Sequence, residues 1–141
     1  MEKIAIETEK LGRPVAGDDG MPLPKGTPLL FSRGIKVGNT VYLSGVTATD
    51  SEGKLVGHGD PKLQAKQVYE NIKAILEAAG ASLDDVVIQR LYLTNREHIS
   101  TFAEVRQKYF RKLPLPCATA VVVSSLIREG ALLEVEVTAV I

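Results

Sequence analysis

Residues 131–141 alternate between apolar and polar side chains, and this alternation constrains the fold more than any other feature of the chain. One set of positions is uniformly apolar and consists of Leu133, Val135, Val137, Ala139 and Ile141. The other set includes Glu134, Glu136 and Thr138. Successive side chains of a strand point to opposite faces, so the pattern predicts a β-strand with one buried face. Such a strand needs neighbouring strands to pair its backbone and helices to cover its apolar face.

The carboxylate of Glu134 has two interpretations at this stage. It lies either on a solvated outer face of the sheet or at the edge of a functional site. Most carboxylates of folded proteins are solvated surface groups, which favours the first interpretation when the residues are considered alone. Glu136, two positions further along the same face, is assigned to the solvated surface.

Composition excludes several classes of function. The 141 residues predict one domain, 1–141, and the 17 basic side chains equal the 17 acidic ones, so no electrostatic footprint for nucleic acid stands out. Zero net charge favours a defined oligomer over a monomer. Cys117, His58 and His98 are too few and too scattered for a metal site. No apolar run reaches membrane-spanning length and no secretory signal begins the chain, so we expect no membrane contact and a cytoplasmic location.

The order of the predicted elements indicates an α+β fold. After a Gly- and Pro-rich loop arm at 11–28, Gly38 and Asn39 predict a tight hairpin turn. Asp60 and Pro61 predict the start of a long helix, and the spacing of Thr101 and Glu104 predicts a capping box for a second helix. The predicted strands are 3–8, 30–37, 40–44, 86–94, 118–124 and 131–141, and the helices run to Ala79 and over 100–112. We expect one mixed sheet with two helices on one face, and a second subunit against the other face.

Several stretches together resemble the Rid family of reactive intermediate deaminases, also called the YjgF family. The resemblance lies in IKVGNTVYLSG at 35–45, in the helix and following residues at 66–87, in LYLTN at 91–95, in FAEVRQKYF at 102–110 and in GALLEVEVTAV at 130–140. It covers nearly all of the chain after the arm. It implies a chorismate-mutase-like fold, a homotrimeric barrel with helices outside, and sites in clefts between subunits. It also implies hydrolysis of enamines and imines of small molecules to a keto compound and ammonia, without metal or organic cofactor.

The resemblance assigns roles to individual residues. Glu134 matches the family's last-strand glutamate, which helps to hold the attacking water, and Ser44 and Gly45 match its Ser-Gly pair after the hairpin. The family's carboxylate-binding arginine lies in a Pro-x-Arg-Ser/Thr pattern, where this chain has Ala118 between Cys117 and Thr119. Further departures are Phe31 for a tyrosine, Arg33 for a glutamine and Arg106 for an asparagine. The chain is therefore interpreted as a divergent member.

Loss of the family arginine leaves two alternatives. Either the ligand is not a 2-imino carboxylate, or the cation has moved, with Arg33 as first candidate and Arg106 as second. Arg33 is alternatively a solvated strand residue. Cys117 is interpreted as a small buried filler in preference to a reactive thiol, because no His or Lys lies near it in sequence.

Three functions follow from this interpretation. The first is a cofactor-free deaminase, or a related small-molecule hydrolase. The second is a non-catalytic ligand-binding or protein-interacting trimer that kept the fold and lost the chemistry. The third, RNA cleavage, is attached to some members of the family, but balanced charge and the lack of a basic run argue against it here.

Overall fold

The computed structural model describes residues 1–11 and 31–141, which form a six-stranded mixed sheet with two α-helices on one face. The strands are β1 (Lys3–Ala5), β2 (Gly34–Val37), β3 (Thr40–Leu43), β4 (Val86–Leu93), β5 (Cys117–Val122) and β6 (Leu133–Val140). The helices are α1 (Pro61–Ala78) and α2 (Ile99–Tyr109). Helix α1 packs against β6, and α2 packs beside α1. The predicted α+β class is confirmed.

The tail strand β6 lies in the interior of the sheet, whose strand order is β1-β2-β3-β6-β4-β5. It pairs antiparallel with β3 on one side and with β4 on the other. Leu133 and Val135 are fully buried under the helices, while Glu134 and Glu136 on the opposite face are half-buried. The predicted alternation is confirmed over this strand, whereas Ile141 lies beyond it and is exposed.

Both helices lie in crossover connections between parallel strands of the sheet. Strands β3 and β4 both run antiparallel to β6, so the connection through α1 joins two parallel strands between which β6 inserts. Strands β4 and β5 are parallel neighbours joined through α2. Parallel strands require such long crossover connections, and each crossover places its helix on the sheet.

The hairpin and the long helix form where local chemistry predicts them. Gly38 has φ +56°, the left-handed conformation that the tight turn between β2 and β3 requires. At the start of α1, the Asp60 side chain accepts a hydrogen bond from the backbone N–H of Leu63 at 3.0 Å. At its end, Gly80 has φ +79° and follows the last turn, where a left-handed glycine terminates the helix.

Several predicted element boundaries need correction. Helix α2 ends at Tyr109 and not at 112, and β1 ends at Ala5 and not at residue 8. The second helix begins at Ile99, so Thr101 lies inside it and the predicted capping box with Glu104 is wrong. Asn95 instead accepts a hydrogen bond from Glu97 N at 2.9 Å and caps a single 3₁₀ turn that leads directly into α2. Strand β5 begins at Cys117, one residue earlier than predicted, and ends at Val122.

The other face of the sheet carries polar side chains and exposed apolar ones. Tyr42, Val87 and Val121 are each more than two-fifths exposed. The Gly- and Pro-rich arm, apart from Leu11 at its start, lies outside the described residues. Within them, no helix is both long and apolar enough to span a membrane.

Candidate functional site

A cavity of about 260 Å³ opens on the face of the sheet that carries Glu134. This volume is near the lower end of small-molecule pockets, which start at about 300 Å³. Its walls come from the segments that flank β2 and β3, from the turn before β6 and from β6 itself. The lining residues that carry polar or charged side chains are Arg33, Ser44, Thr47, Thr49, Arg128 and Glu134.

Glu134 reaches the pocket because it alternates with the buried residues Leu133 and Val135 on β6. Burial raises the pKa of the Glu134 carboxyl, and the negative charge of nearby Glu136 raises it further. Glu136 is itself held on the same face by Tyr92, whose hydroxyl donates to Oε1 at 2.6 Å. The raised pKa brings Glu134 closer to the range in which a carboxyl both accepts and donates a proton.

Gly45 provides the space that the Glu134 carboxylate occupies. A Cβ atom built on Gly45 would lie 2.8 Å from Cδ of Glu134 and closer still to Oε1, so any side chain here displaces the carboxylate. The backbone is irregular at this point, because residues 43–45 lie between Tyr42 and Val46 while residues 136 and 137 lie between their partners on β6. One extra residue on a strand is the signature of a β-bulge, which redirects side chains near sites.

Hydrogen bonds around Ser44 place the segment before β2 against the pocket. Ser44 N donates to the carbonyl of Arg33 at 2.9 Å, and Ser44 Oγ donates to the carbonyl of Ser32 at 2.7 Å. Phe31 and Arg33 are therefore held beside the hairpin and line the cavity together with Ser44. Burial lowers the pKa of the Arg33 guanidinium, and the charge of Glu7 partly offsets this.

Two buried amide side chains on α1 hold the pocket's other walls. Asn71 Nδ2 donates to the carbonyl oxygens of Thr47 at 3.1 Å and Thr49 at 2.8 Å. Gln64 Nε2 donates to the carbonyl of Gly130 at 3.0 Å, and its Oε1 accepts from Leu132 N at 2.8 Å. Neither amide was predicted as a buried residue from the sequence, although both lie on the buried side of α1.

Arg128 also lines the pocket, and it was not among the residues predicted for a site. Its side chain is buried, and Nη2 donates to the carbonyl oxygen of Gly53. Residues 128–130 lie in the connection between the predicted strands 118–124 and 131–141. The available signal was an arginine in the connection that leads directly to the Glu134 strand.

The structure brings five predicted residues to one pocket: Phe31, Arg33, Ser44, Gly45 and Glu134. It places Cys117, Ala118 and Thr119 elsewhere, on the exposed edge strand β5. Cys117 is itself exposed, so its interpretation as a small buried filler is wrong for the single chain. Ala118 pairs with Gln89, which in turn pairs with Val137, three residues along β6 from Glu134. With about 4.8 Å between strands and about 3.3 Å per residue, Ala118 lies roughly 14 Å from Glu134. One small ligand therefore cannot contact both positions of the same chain.

Arg106 lies on α2, on the opposite side of the sheet from Glu134. Its charge acts on Tyr69 in the core, whose pKa is raised by burial and lowered in part by Arg106. The structure therefore does not bring Arg106 to the pocket. Among residues 1–11 and 31–141, no group of three or more His, Cys, Asp and Glu side chains is arranged to hold a metal ion.

The chain is similar to proteins of known sequence and structure over nearly its whole length. A sequence model described as endoribonuclease L-PSP matches residues 27–141. A RutC family protein of Pyrococcus abyssi is 39% identical over 139 residues, 99% of this chain and 98% of that protein. A 2-iminobutanoate/2-iminopropanoate deaminase of Dermatophagoides farinae is 32% identical over 111 residues, 79% of this chain and 85% of that protein.

The fold is likewise that of a solved relative. The crystal structure of RidA from the Antarctic bacterium Psychrobacter sp. PAMC 21119 superposes with a TM-score of 0.82 at 37% identity, covering 98% of this chain and 99% of that one. The YjgF-type fold that the sequence resemblance implies is thereby confirmed. The chain belongs to the endoribonuclease L-PSP family, also known as the YjgF or Rid family.

Proposed function

We propose that the pocket around Glu134 hydrolyses the enamine or imine form of a small metabolite to a keto compound and ammonia. Family membership and the similarity to the mite deaminase support a deaminase-type role. The observation that carries the finer proposal is the position of Glu134, whose half-buried carboxyl faces a small cavity and has a raised pKa.

The reaction requires one group that first accepts and then returns a proton. An enamine takes a proton from solvent at carbon and becomes an iminium ion, and an imine reaches the same state when its nitrogen takes the proton. Glu134 orients a water molecule and takes one of its protons while the water oxygen bonds to the iminium carbon. The protonated Glu134 then donates to the nitrogen of the resulting carbinolamine, the carbon–nitrogen bond breaks and ammonia leaves. The remaining hydroxyl loses its proton to solvent and becomes the carbonyl.

The pocket residues divide this work between them. The raised pKa of Glu134 reduces the free-energy cost of its protonated form, which general acid–base catalysis needs in the second half of the reaction. Ser44, Thr47 and Thr49 add hydroxyl or backbone groups that contact a polar substrate. Phe31 and Ile127 contribute apolar side chains to the wall of the same cavity.

We also propose that the protein works as a homotrimer. Ala118 and its neighbours lie too far from Glu134 to share a ligand within one chain, but β5 is an exposed edge strand with Val121 and Val122 on its surface. An unpaired apolar edge favours association with another chain, which would bring β5 of one copy towards the pocket of the next. Light scattering during gel filtration is expected to give three times the mass of the chain, and a monomer would contradict this part of the proposal.

The activity is tested by ammonia release from imines generated in the assay. An amino-acid oxidase produces 2-iminobutanoate and related imines, and a neutral enamine is tested in parallel. We expect the protein to accelerate ammonia release above the solvent rate, and Glu134→Gln to lose on the order of 100-fold in kcat/KM, because general acid–base catalysis contributes about 10²–10⁴-fold.

Glu136→Gln is the matched control, since Glu136 lies on the same strand face but outside the pocket lining. At mildly alkaline pH its kcat/KM is expected to stay within about threefold of the wild-type value, as for surface substitutions of small energetic effect. If no imine or enamine is hydrolysed faster than in buffer, the non-catalytic ligand-binding trimer is the better description. Degradation of single-stranded RNA by the same preparation would replace the proposal with RNA cleavage.

A further inference from the structure

Glu134 has a second carboxyl group as its neighbour on the face of the sheet that the helices leave uncovered. Glu136 follows two residues later on β6, so the two side chains leave the strand on the same face, with Cα atoms about 6.6 Å apart. A negative charge close to a carboxyl group favours the protonated form of that carboxyl. Burial raises the pKa of Glu134, and the charge of Glu136 raises it further. The position of the Glu136 carboxylate therefore matters for the chemistry of Glu134.

Tyr92 determines where the Glu136 carboxylate lies. It is paired with Glu134 in the register of β4 and β6, and its hydroxyl donates to Oε1 of Glu136 at 2.6 Å. The hydrogen bond therefore runs diagonally across the two strands, a distance that long aromatic side chains span. It raises the pKa of the Tyr92 phenol, so the hydroxyl keeps its proton and remains the donor. One tyrosine thus lies beside the first carboxyl group and holds the second.

The hydrogen bond between Tyr92 and Glu136 is strong enough to fix a flexible side chain. A length of 2.6 Å lies in the range of O–H···O⁻ bonds to an ionised acceptor, which are about twice as strong as neutral hydrogen bonds. Both residues are half-buried, so water competes less for the carboxylate than it does at an open surface. Without the hydroxyl, repulsion between the two carboxylates would turn Glu136 towards solvent, where water screens its charge.

The other ionisable side chains around Glu136 do not take over this role. Arg90 is its register partner on β4, and the positive charge of Arg90 lowers the pKa of nearby Tyr92 in part. On the side of β3, the phenol of Tyr42 lies on the same face, beside Thr138. Neither a guanidinium nor a phenol supplies the negative charge that favours a protonated carboxyl group.

The charged groups on the pocket side of Glu134 act in the opposite direction. Arg33 and Arg128 line the cavity, and a positive charge favours the ionised form of a carboxyl group. Glu7 acts on Arg33, whose pKa is lowered by burial and raised in part by the Glu7 charge. Among the described residues, Glu136 is therefore the identified source of negative charge at Glu134.

We infer that Tyr92 is a positioning residue for the proposed reaction: it holds the Glu136 carboxylate beside Glu134, where the negative charge favours the protonated form of Glu134. The consequence for catalysis rests on the proposed function, in which Glu134 takes a proton from the attacking water. A carboxylate that is protonated more readily is a stronger base for this step. Tyr92 and Glu136 lie outside the pocket lining, so they act on the reaction through Glu134 and set the pH range in which it works.

The first test titrates Glu134 directly and does not depend on catalysis. NMR follows the side-chain carboxyl signals of isotope-labelled glutamate as pH is varied, and Glu134→Gln and Glu136→Gln assign the two signals by removing them in turn. We expect the midpoint of the Glu134 titration to move to lower pH in Glu136→Gln. In Tyr92→Phe, which removes only the hydroxyl, it is expected to move in the same direction by the same amount or less. Tyr42→Phe changes a second tyrosine of the same sheet face, and as the matched control it should leave the midpoint unchanged.

The double variant Tyr92→Phe/Glu136→Gln shows whether Tyr92 acts through Glu136. Its Glu134 midpoint is expected to match that of Glu136→Gln alone, since the hydroxyl then has no carboxylate to hold. A further shift in the double variant, or an unmoved midpoint in a folded Tyr92→Phe protein, would overturn the inference. If circular dichroism shows that Tyr92→Phe does not fold, Glu136→Gln tests the same link from its other end, and an unmoved midpoint there has the same consequence.

The second test is the pH profile of kcat/KM, which separates positioning from a structural role. At mildly alkaline pH, kcat/KM of Tyr92→Phe is expected to fall by less than about threefold, because Glu134 is then a slightly weaker base. On the acid limb it should exceed the wild-type value, because more Glu134 is ionised at the same pH. A loss of equal proportion at every pH would indicate a structural role and overturn the inference. Moved NMR midpoints in a protein that hydrolyses no imine or enamine would support the placement of the two carboxylates and reject the proposed function.

Discussion

Leu133 and Glu134 are adjacent in the sequence and lie on opposite faces of the same strand. Leu133 is fully buried beneath α1, so its burial does not depend on another chain. Glu134 faces a cavity whose walls come from segments far apart in sequence. On β6, the helix-covered face therefore provides buried apolar packing, whereas the open face carries the carboxyl group that the proposed reaction uses. Substitutions on the two faces test whether these two roles are separable.

The largest expected effect is on the stability of the helix-covered face. Leu133→Ala removes a fully buried side chain and leaves a cavity, so it should lower the free energy of unfolding by about 2–5 kcal/mol. Glu134→Gln, one residue later, is expected to change the same quantity by less than about 1 kcal/mol. Urea denaturation of both variants measures the contrast. Similar losses for the two would show that the faces are not separable in this way.

The next largest effect is expected at Asn71, a buried polar residue of α1 that holds part of the pocket wall on the open face. Asn71→Leu removes the donors to the Thr47 and Thr49 carbonyl oxygens, leaving them without this partner. We expect a loss of about 1–3 kcal/mol in unfolding free energy, together with a fall in kcat/KM as the 46–49 segment loosens. Gln67→Ala, which removes only the donor to Asn71 Oδ1, is the milder control. An Asn71→Leu protein with full activity would contradict the link between α1 and the pocket.

Sequence patterns predicted the covered face well because its buried residues recur at the regular spacing of a strand or a helix. The alternation along β6 and the apolar stripe of α1 both identify buried positions, and Gly38 identifies the hairpin turn. Buried amides are harder to recognise, since Asn71 and Gln64 interrupt an apolar stripe and resemble solvated residues. Their partners are backbone carbonyls and N–H groups of distant loops, which no local pattern reveals.

The open face was predictable only in part. Alternation placed Glu134 on it, but its interpretation as a functional residue depended on the family resemblance. Arg128 was missed because its position depends on the conformation of a turn and on a contact with Gly53, which is distant in sequence. The predicted capping box at Thr101 was wrong for a local reason. Asn95 caps an earlier turn that leads directly into α2, so Thr101 lies inside the helix.

A smaller effect is expected at Gly45, where a substitution tests how closely the Glu134 carboxylate is packed on the open face. Gly45→Ala adds a methyl group that would lie 2.8 Å from Glu134 Cδ, so the carboxylate must move. We expect kcat/KM to fall about 10-fold, since even a displacement of about 1 Å costs up to 100-fold in rate. Stopped assays of ammonia release measure this effect. In the Glu134→Gln background the same substitution should have little further effect, and an additive loss would show that Gly45 acts through another group.

The smallest effect is the pH dependence that the raised pKa of Glu134 causes. Because the folded-state pKa lies above the unfolded value of about 4.3, the contribution of this group to stability is fully present below that value and is lost as pH rises through the folded pKa. The stability of the wild type relative to Glu134→Gln should therefore decline with rising pH in that window, while kcat/KM should rise because the carboxylate form accepts the proton.

Glu136→Gln removes one cause of the raised pKa and is expected to move the acid limb of the rate profile to lower pH. An unmoved limb in Glu136→Gln would mean that burial alone sets this pKa, and a limb that moves to higher pH would assign the limb to a different group.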